Sequence, residues 1–134
     1  MVKLGATHVV ILGATGLRED HTLANISLLG MYAGMKSETG SPLGVRMYSD
    51  HGVFTPVTAT TRLSSFPRQQ VSLFALSPDM VLSTEGLKYP IEHRQLHWWW
   101  EATLNEAVGE AFTITIENPA PSNVLIVYQT HEAK

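Results

Sequence analysis

The chain is organised around the stretch His8-Val9-Val10-Ile11-Leu12-Gly13-Ala14-Thr15-Gly16-Leu17-Arg18-Glu19-Asp20-His21. An apolar, largely β-branched run comes first, two glycines follow it, and an amphipathic segment begins at about Asp20. This order predicts a strand, a tight turn and a helix. Ligands of open parallel sheets gather where strands end and helices begin. The junction that carries Arg18 and Asp20 is therefore the first candidate site.

The predicted helix runs from about Asp20 to Lys36 and has a stripe of apolar side chains along one face. Asp20 suits the N-cap, where a carboxylate accepts a backbone N–H and opposes the helix dipole. Gly40 and Pro42 would end the helix. The stripe comprises Leu23, Ile26, Leu29 and Ala33, widened by Leu28, Tyr32 and Met35.

Residues 8–12 show no alternation with polar residues, which is typical of a strand buried on both faces of a parallel sheet. No second strand–helix unit follows in the sequence, so we expect no parallel neighbour from later in the chain. Residues 1–38 are therefore predicted to be the C-terminal strand and helix of a larger α/β domain.

Beyond a boundary near Ser37–Ser41, the pattern changes to short strands separated by turn residues, which indicates an antiparallel sandwich or barrel. Ser49-Asp50-His51-Gly52 suits a hairpin between the first two strands. The predicted fold class is α+β, with a remnant strand–helix of an α/β domain at 1–38 and a jelly-roll-like antiparallel β-sandwich at 39–134. The predicted strands lie at 45–48, 53–58, 71–76, 80–83, 112–116 and 124–128.

The composition excludes several classes of protein. The 134 residues are 44% hydrophobic and 16% charged, which is enough apolar material for a core. A net charge of −3 without a basic stripe argues against a nucleic-acid partner. No apolar run approaches the roughly 20 residues of a membrane helix, and the lack of cysteine excludes disulfides and thiolate catalysis. We expect a cytoplasmic protein with no membrane partner.

Three interpretations of the turn at Gly13–His21 remain open on the residues alone. Dinucleotide binding would need a third glycine, but Glu19 takes its place and would repel a pyrophosphate. A purely structural turn would use Asp20 as a cap and Arg18 in a surface ion pair with Glu19 or Asp20. A catalytic turn would direct Arg18 at phosphate oxygens and Asp20 at a hydroxyl or an ion.

Trp98-Trp99-Trp100 is the second unusual tract. In a strand, Trp98 and Trp100 would share one face and Trp99 would take the other. The tract would either pack in a core or interface, or form an aromatic wall for a flat or cationic ligand. Thr103 and Asn105 are either turn formers or hydrogen-bonding groups of a small-molecule pocket. The six histidines show no spacing typical of a metal site, so no metal ligands are predicted.

Taken in order, these segments resemble the C-terminal half of thiamine pyrophosphokinase (thiamine diphosphokinase). That family has a Gly-Ala-Thr-Gly-Gly-Arg-x-Asp-His-Thr turn followed by an asparagine, then a Ser-Leu-Phe/Ile-Pro-Leu strand. A Gly-Leu-Lys-Tyr-Pro-Leu segment, Ser-Asn-Glu and a closing pair of strands follow. The matching segments here are Gly13–Thr22 with Asn25, Ser72–Leu76, Gly86-Leu87-Lys88-Tyr89-Pro90-Ile91 and Leu104-Asn105-Glu106. The resemblance covers essentially the whole chain.

The resemblance implies an enzyme that transfers pyrophosphate from ATP to thiamine, giving thiamine diphosphate and AMP with the help of Mg²⁺. It also implies a homodimer formed through the β-sandwich, with thiamine between one subunit's α/β domain and the other subunit's sandwich. Arg18 and Asp20 would be the catalytic residues. The implied substrate-binding residues are Thr103, Asn105, Trp100 and Tyr89.

The chain departs from the family pattern at Leu17, where the family has glycine, and at Leu104, where it has serine. The family's aspartate-rich segments that hold ATP and Mg²⁺ have no counterpart in this sequence, so we expect the chain to be inactive by itself. The alternative is a non-catalytic β-sandwich module that binds a flat ligand or dimerises through Trp98–Trp100.

Overall fold

The structure, a computed structural model, describes residues 8–16, 18–34 and 44–133. A single α-helix is present in these ranges, and the remaining elements are strands and a short 3₁₀ helix. In chain order they are β1 (His8–Leu12), α1 (Glu19–Ala33), β2 (Gly44–Tyr48), β3 (Gly52–Val57), β4 (Thr61–Ser64), β5 (Gln69–Ala75), β6 (Val81–Glu85), β7 (Arg94–Gln95), the 3₁₀ helix Trp99–Ala102, β8 (Asn105–Glu106), β9 (Ala111–Ile116) and β10 (Leu125–Ala133).

Two sheets pack face to face around the main core. One has the strand order β1-β2-β3-β10-β5-β8 and the other the order β4-β9-β6-β7. Side chains of β5 alternate between buried and half-buried, as expected where one face of a sheet meets a core. Leu73, Leu82 and Phe112 are buried in the core between the sheets. The predicted class, α+β with a β-sandwich, is confirmed.

A buried glutamine of β10, Gln129, links the two sheets, and Gln69 of the neighbouring strand β5 supports it. The Gln129 amide N–H donates to the Ser64 carbonyl oxygen of β4 over 2.8 Å and to Gln69 Oε1 over 3.1 Å. The Gln69 amide N–H in turn donates to the Thr130 carbonyl oxygen over 2.8 Å. Burying an amide without a partner is costly, so these bonds explain how two polar side chains are tolerated beside the core.

β1 is not the isolated strand that the sequence predicts. It pairs in parallel with β2, with His8 opposite Gly44 and Leu12 opposite Tyr48. β2 also forms the predicted hairpin with β3, so the same strand belongs to both patterns. β1 is not buried on both faces either, because Val10 and Leu12 are exposed at the edge of the six-stranded sheet.

α1 packs its apolar side on β2, β3 and β10 through Ile26 and Leu29, which are buried. Leu23 was predicted to face the core but is exposed. The N-cap is Arg18, without a side-chain cap bond, so the prediction of Asp20 as N-cap is wrong. Asp20 instead lies in the first turn of the helix, where its charge still opposes the helix dipole.

Several predictions fall outside the described residues. These are the Leu17 departure, the roles of Gly40 and Pro42, and the domain boundary near Ser37–Ser41. The helix itself ends at Ala33 with Gly34 as its C-cap, three residues before the predicted end at Lys36. The division into 1–38 and 39–134 stays a prediction, although one sheet joins strands from both sides of it. Within the described ranges, no helix is long and apolar enough to span a membrane.

Candidate functional site

The Arg18–Asp20 corner lies where β1 gives way to α1. Arg18 Nη2 donates to Asp20 Oδ2 over 2.6 Å, and the two side chains are 75% and 60% exposed. An ion pair this exposed contributes at most about 1 kcal/mol to stability. The predicted surface ion pair of Arg18 is therefore present. Another anion could replace Asp20 as the partner of Arg18 at a low cost in free energy.

The turn before this corner has the backbone geometry that its glycines allow. Gly13 and Gly16 have φ values of +69° and +91°, which residues with a side chain rarely adopt. Asn25 of α1 donates from its amide to the Ala14 carbonyl oxygen over 2.9 Å and so ties the turn to the helix. A cleft of about 230 Å³ runs along the turn, with Arg18 and His21 in its wall.

A second cleft, of about 600 Å³, lies between this turn and the β2–β3 turn. Asp50 and His51 line it together with Thr15 and Thr22. The sequence predicted 49–52 as a hairpin loop and gave it no further role. Recognising that β2 is parallel to β1 would have identified these residues, because the two turns then follow neighbouring strand ends.

The buried side chain of Asn105 holds the loop at 86–91 in place. Its Oδ1 accepts the backbone N–H groups of Tyr89, over 3.0 Å, and of Glu106, over 2.8 Å. Its Nδ2 donates to the Tyr89 carbonyl oxygen over 2.8 Å. Asn105 is only 4% exposed. The side chain that was predicted to face thiamine is therefore turned inward, and its amide is occupied by the loop.

The loop at 86–91 begins at a glycine that the packing requires. Gly86 has φ +94°, and a Cβ there would lie 2.9 Å from the Ala111 carbonyl oxygen. At the other end of the loop, Tyr89 is exposed, and Lys88 Nζ lies 5.5 Å from the centre of its ring. Lys88 also pairs with Glu106 over 3.5 Å. The loop therefore presents an aromatic ring with a cation beside it.

The tryptophans do not lie in a strand, as the alternation argument assumed, because Trp99–Ala102 forms a 3₁₀ helix. Trp99 is the anchor: its indole N–H donates to the Ala75 carbonyl oxygen over 3.2 Å, and its ring meets Phe74 edge-on. Trp98 and Trp100 are 68% and 73% exposed. They are therefore not core residues, and they remain free to contact a ligand or another chain.

Thr103 and Leu104 complete this segment. The Thr103 hydroxyl donates to the Trp100 carbonyl oxygen over 3.0 Å, so it already ends the 3₁₀ helix. Leu104 adopts φ +60° and exposes its side chain, while its N–H donates to Ser72 Oγ over 3.2 Å. The serine-to-leucine departure thus adds apolar surface beside Trp100 in the chain.

Glu101 fixes the conformation of Trp98–Ala102, which we call the tryptophan turn. Its Oε2 accepts the Trp98 backbone N–H over 2.7 Å, and its Oε1 accepts a hydrogen bond from Arg94 over 3.2 Å. The bond from Trp98, with a smaller contribution from Arg94, holds the pKa of Glu101 below its ordinary value of 4.5. Such a carboxylate contributes stability above the pKa of the unfolded chain and loses that contribution as the pH falls through the folded pKa.

Acid should therefore loosen this turn. As the pH falls below about 4.5, we expect protonation of Glu101 to release the Trp98 N–H and change tryptophan fluorescence before global unfolding. Glu101→Gln should remove that acid step, because its side chain does not titrate. The measurement is an emission spectrum against pH, with far-UV circular dichroism to detect unfolding. Identical acid profiles for the two proteins would contradict this assignment.

The Arg18 corner and the tryptophan turn lie at opposite ends of one sheet. β1 and β8 are the two edge strands, with β2, β3, β10 and β5 between them. Five strand-to-strand steps of about 4.8 Å separate them by roughly 24 Å. The predicted catalytic residues therefore follow one edge strand of the sheet, and the predicted thiamine-binding residues lie by β5 and β8 on its other side.

The sequence comparisons give one family. The family model described as "Thiamin pyrophosphokinase, substrate-binding domain" matches residues 52–126. That range contains the loop at 86–91 and the tryptophan turn. A search of curated proteins found no match.

Solved structures show the same fold. Thiamine pyrophosphokinase from Bacillus subtilis is 21% identical with a TM-score of 0.76, and the match covers 96% of this chain and 57% of that one. The enzyme from Geobacillus thermodenitrificans is 22% identical with a TM-score of 0.75, covering 99% and 58%. The Candida albicans protein is 18% identical with a TM-score of 0.76, covering 95% and 45%. This chain therefore spans about half the length of these structures.

Proposed function

The chain belongs to the thiamin pyrophosphokinase family, and on that premise we propose that it is the thiamine-binding part of a thiamine diphosphokinase. In the proposed reaction the hydroxyethyl oxygen of thiamine attacks the β-phosphorus of ATP. The bond from that phosphorus to the α–β bridging oxygen breaks, AMP leaves, and the hydroxyl proton passes to a base. The observation that carries the proposal is the family match over residues 52–126.

Thiamine suits the exposed aromatic surface at the β8 edge. Its thiazolium ring is a permanent cation and its aminopyrimidine ring is flat, so both can stack on indole and phenol faces. Tyr89 and Trp100 are the exposed rings that we assign to this contact. Asn105 and Thr103 contribute by holding the backbone on which these rings stand.

Arg18 and Asp20 suit the phosphate side of the reaction. Phosphoryl transfer depends mainly on positioning and on cationic groups that spread the developing negative charge. Because the Arg18–Asp20 pair is exposed, phosphate oxygens can take the guanidinium from Asp20 at little cost. The released carboxylate would then be free to accept the hydroxyl proton of thiamine.

A second copy of the chain would complete the site. In one chain the corner follows β1 and the aromatic surface lies by β5 and β8 on the other side of the same sheet, so we propose that the aromatic surface of one subunit meets the corner of the other. This arrangement requires a homodimer formed through the β-sandwich. We further propose that it functions in the cytoplasm.

ATP is the proposed second substrate, and Mg²⁺ its proposed cofactor. The described ranges contain no group of three or more side chains suited to a metal ion. Mg²⁺ is usually held by one or two carboxylates together with substrate phosphates, and the roles given to Arg18 and Asp20 do not depend on a metal held by this chain alone. We propose that this chain by itself binds thiamine without converting it at an enzyme-like rate.

Thiamine titration tests the proposal. Thiamine should quench tryptophan fluorescence, and Trp100→Ala should weaken binding about tenfold, consistent with loss of a cation–π contact of 1–2 kcal/mol. Trp98→Ala is the matched control, since it removes a similarly exposed indole and should change affinity less than twofold. Rapid AMP release with ATP, Mg²⁺ and thiamine would refute the inactivity of the chain, and absence of thiamine binding would refute its substrate role.

A non-catalytic binding or dimerisation module is the second candidate. The exposed apolar side chains Trp98, Trp100 and Leu104 favour it, because surfaces of this kind mark interaction sites. Sedimentation distinguishes the two candidates. A dimer that persists without binding thiamine would favour the module, whereas a dimer that binds thiamine through Trp100 supports the enzyme part.

A further inference from the structure

The β2–β3 turn stands beside the glycine turn because β1 and β2 are parallel neighbours. Leu12 and Tyr48 are paired at the carboxyl ends of these strands. Gly13 follows directly after Leu12, and Asp50 comes two positions after Tyr48. Neighbouring strands lie about 4.8 Å apart, so the two turns form the facing walls of the 600 Å³ cleft described above.

The turn that carries Asp50 is held from several directions. Ser49 Oγ accepts the N–H groups of His51, over 3.3 Å, and Gly52, over 3.2 Å. From β10, the His131 backbone N–H donates to the His51 carbonyl oxygen over 3.0 Å, and His131 Nε2 lies 2.8 Å from the Ser49 carbonyl oxygen. Asp50 is thus carried on a fixed backbone at the mouth of the cleft.

The carboxylate of Asp50 is available. Within the described part of the chain it makes no hydrogen bond or ion pair, and the residue is exposed. Arg18 lines the smaller cleft along the glycine turn and is not among the residues that line this one. The described residues provide no metal-binding group here either. An acceptor-only carboxylate in such surroundings fits a ligand that brings its own donors.

We propose that Asp50 accepts hydrogen bonds from the vicinal ribose hydroxyls of a nucleoside phosphate whose phosphates lie along the Gly13–Gly16 turn. This rests on the proposed function, in which ATP is a substrate. In doubly wound sheets a glycine turn after one strand receives phosphates, and an acidic residue associated with the neighbouring strand binds the ribose. Here Asp50 has that topological position, although it lies much further along the sequence than the usual spacing.

A cycle of protein and ligand changes tests the contact. Calorimetry would measure ATP, 2′,3′-dideoxy-ATP and tripolyphosphate binding to the wild-type chain and to Asp50→Ala. We expect Asp50→Ala to weaken ATP binding about 10- to 100-fold, the usual effect of losing hydrogen bonds to a charged group. Dideoxy-ATP should bind both proteins equally, and tripolyphosphate should bind the variant at least as well as the wild type. Asp79→Ala, which removes a charge from another exposed turn, should leave all three affinities unchanged.

Three outcomes would overturn the inference: no ATP binding by the wild-type chain, equal binding of ATP and dideoxy-ATP, or an Asp50→Ala effect on thiamine instead of ATP. The last would mean that the carboxylate attracts the thiazolium cation. Failure of the proposed function would give a different result. Thiamine would not bind, but the wild-type chain would still bind ATP more tightly than dideoxy-ATP. Because Asp50 is exposed, the variant should fold, and circular dichroism would verify this.

Discussion

Replacing Asn105 by alanine should lower the free energy of unfolding by about 2–4 kcal/mol and detach the loop at 86–91 from β8. The substitution removes one acceptor of two backbone N–H groups and one donor to a backbone carbonyl. Because Asn105 is buried, water cannot readily replace these bonds. Tyr89 would lose its fixed position, so thiamine affinity should fall together with stability.

Chemical denaturation would measure the change, and hydrogen exchange at Tyr89 and Glu106 would locate it. Asn25→Ala is a matched control, because that asparagine donates a single bond, to the Ala14 carbonyl oxygen, and should cost only about 1 kcal/mol. If the two variants lost equal stability, the network around Asn105 would not be the anchor of the loop.

Phe112→Ala should cost more, about 3–5 kcal/mol. Phe112 lies on β9, is 2% exposed and belongs to the core between the two sheets. Its backbone stands opposite Leu63 of β4 and directly beneath Gly86. Truncation leaves a cavity where three segments meet, and the surrounding backbone cannot close over it fully.

Phe112→Leu separates the loss of volume from the loss of apolar character. It keeps most of the buried hydrocarbon and should cost less than half as much as alanine. Urea unfolding would compare both variants with the wild type, with the same dependence of the unfolding free energy on urea concentration used for all three proteins. A cost below about 1 kcal/mol for Phe112→Ala would mean that the sheets repack and that the core is not fixed at this position.

Most of the longer strands of the sandwich could be predicted because local sequence decides them, whereas β4, β7 and β8 were not predicted. Phe112–Ile116 alternates strictly, and the structure extends that strand by only one residue, to Ala111. The hairpin at 49–52 was predicted from its turn residues, and it forms. In both cases side-chain alternation or turn chemistry is contained within a few neighbouring residues.

The parallel pairing of β2 could not be predicted, because pairing depends on contacts distant in sequence. β2 looks like the first strand of an antiparallel sheet, and its hairpin with β3 satisfies that pattern. Nothing in residues 44–48 indicates that their other edge receives β1. The exposure of one side of β1 could not be predicted for a similar reason, because apolar composition does not distinguish a central strand from an edge strand.

The local geometry of the candidate residues could be predicted only in part. A surface ion pair of Arg18 with Glu19 or Asp20 was predicted, and Asp20 is the partner, but the N-cap position was predicted wrongly. Trp98–Trp100 was expected to alternate as a strand, yet Glu101 captures the Trp98 N–H and turns the chain into a 3₁₀ helix. A capping bond of this kind depends on a rotamer, which the order of residues does not reveal.

The glutamine bridge between the sheets has a consequence for folding fidelity. Sliding one sheet over the other by a single residue would separate the Gln129 amide from the Ser64 carbonyl oxygen and break the bond that joins the sheets, whereas leucine and valine would accept many alignments. The bridge therefore fixes the alignment of the two sheets. It adds little to the net stability of the fold. It raises the free energy of misaligned packings of the two sheets and so favours a single native packing.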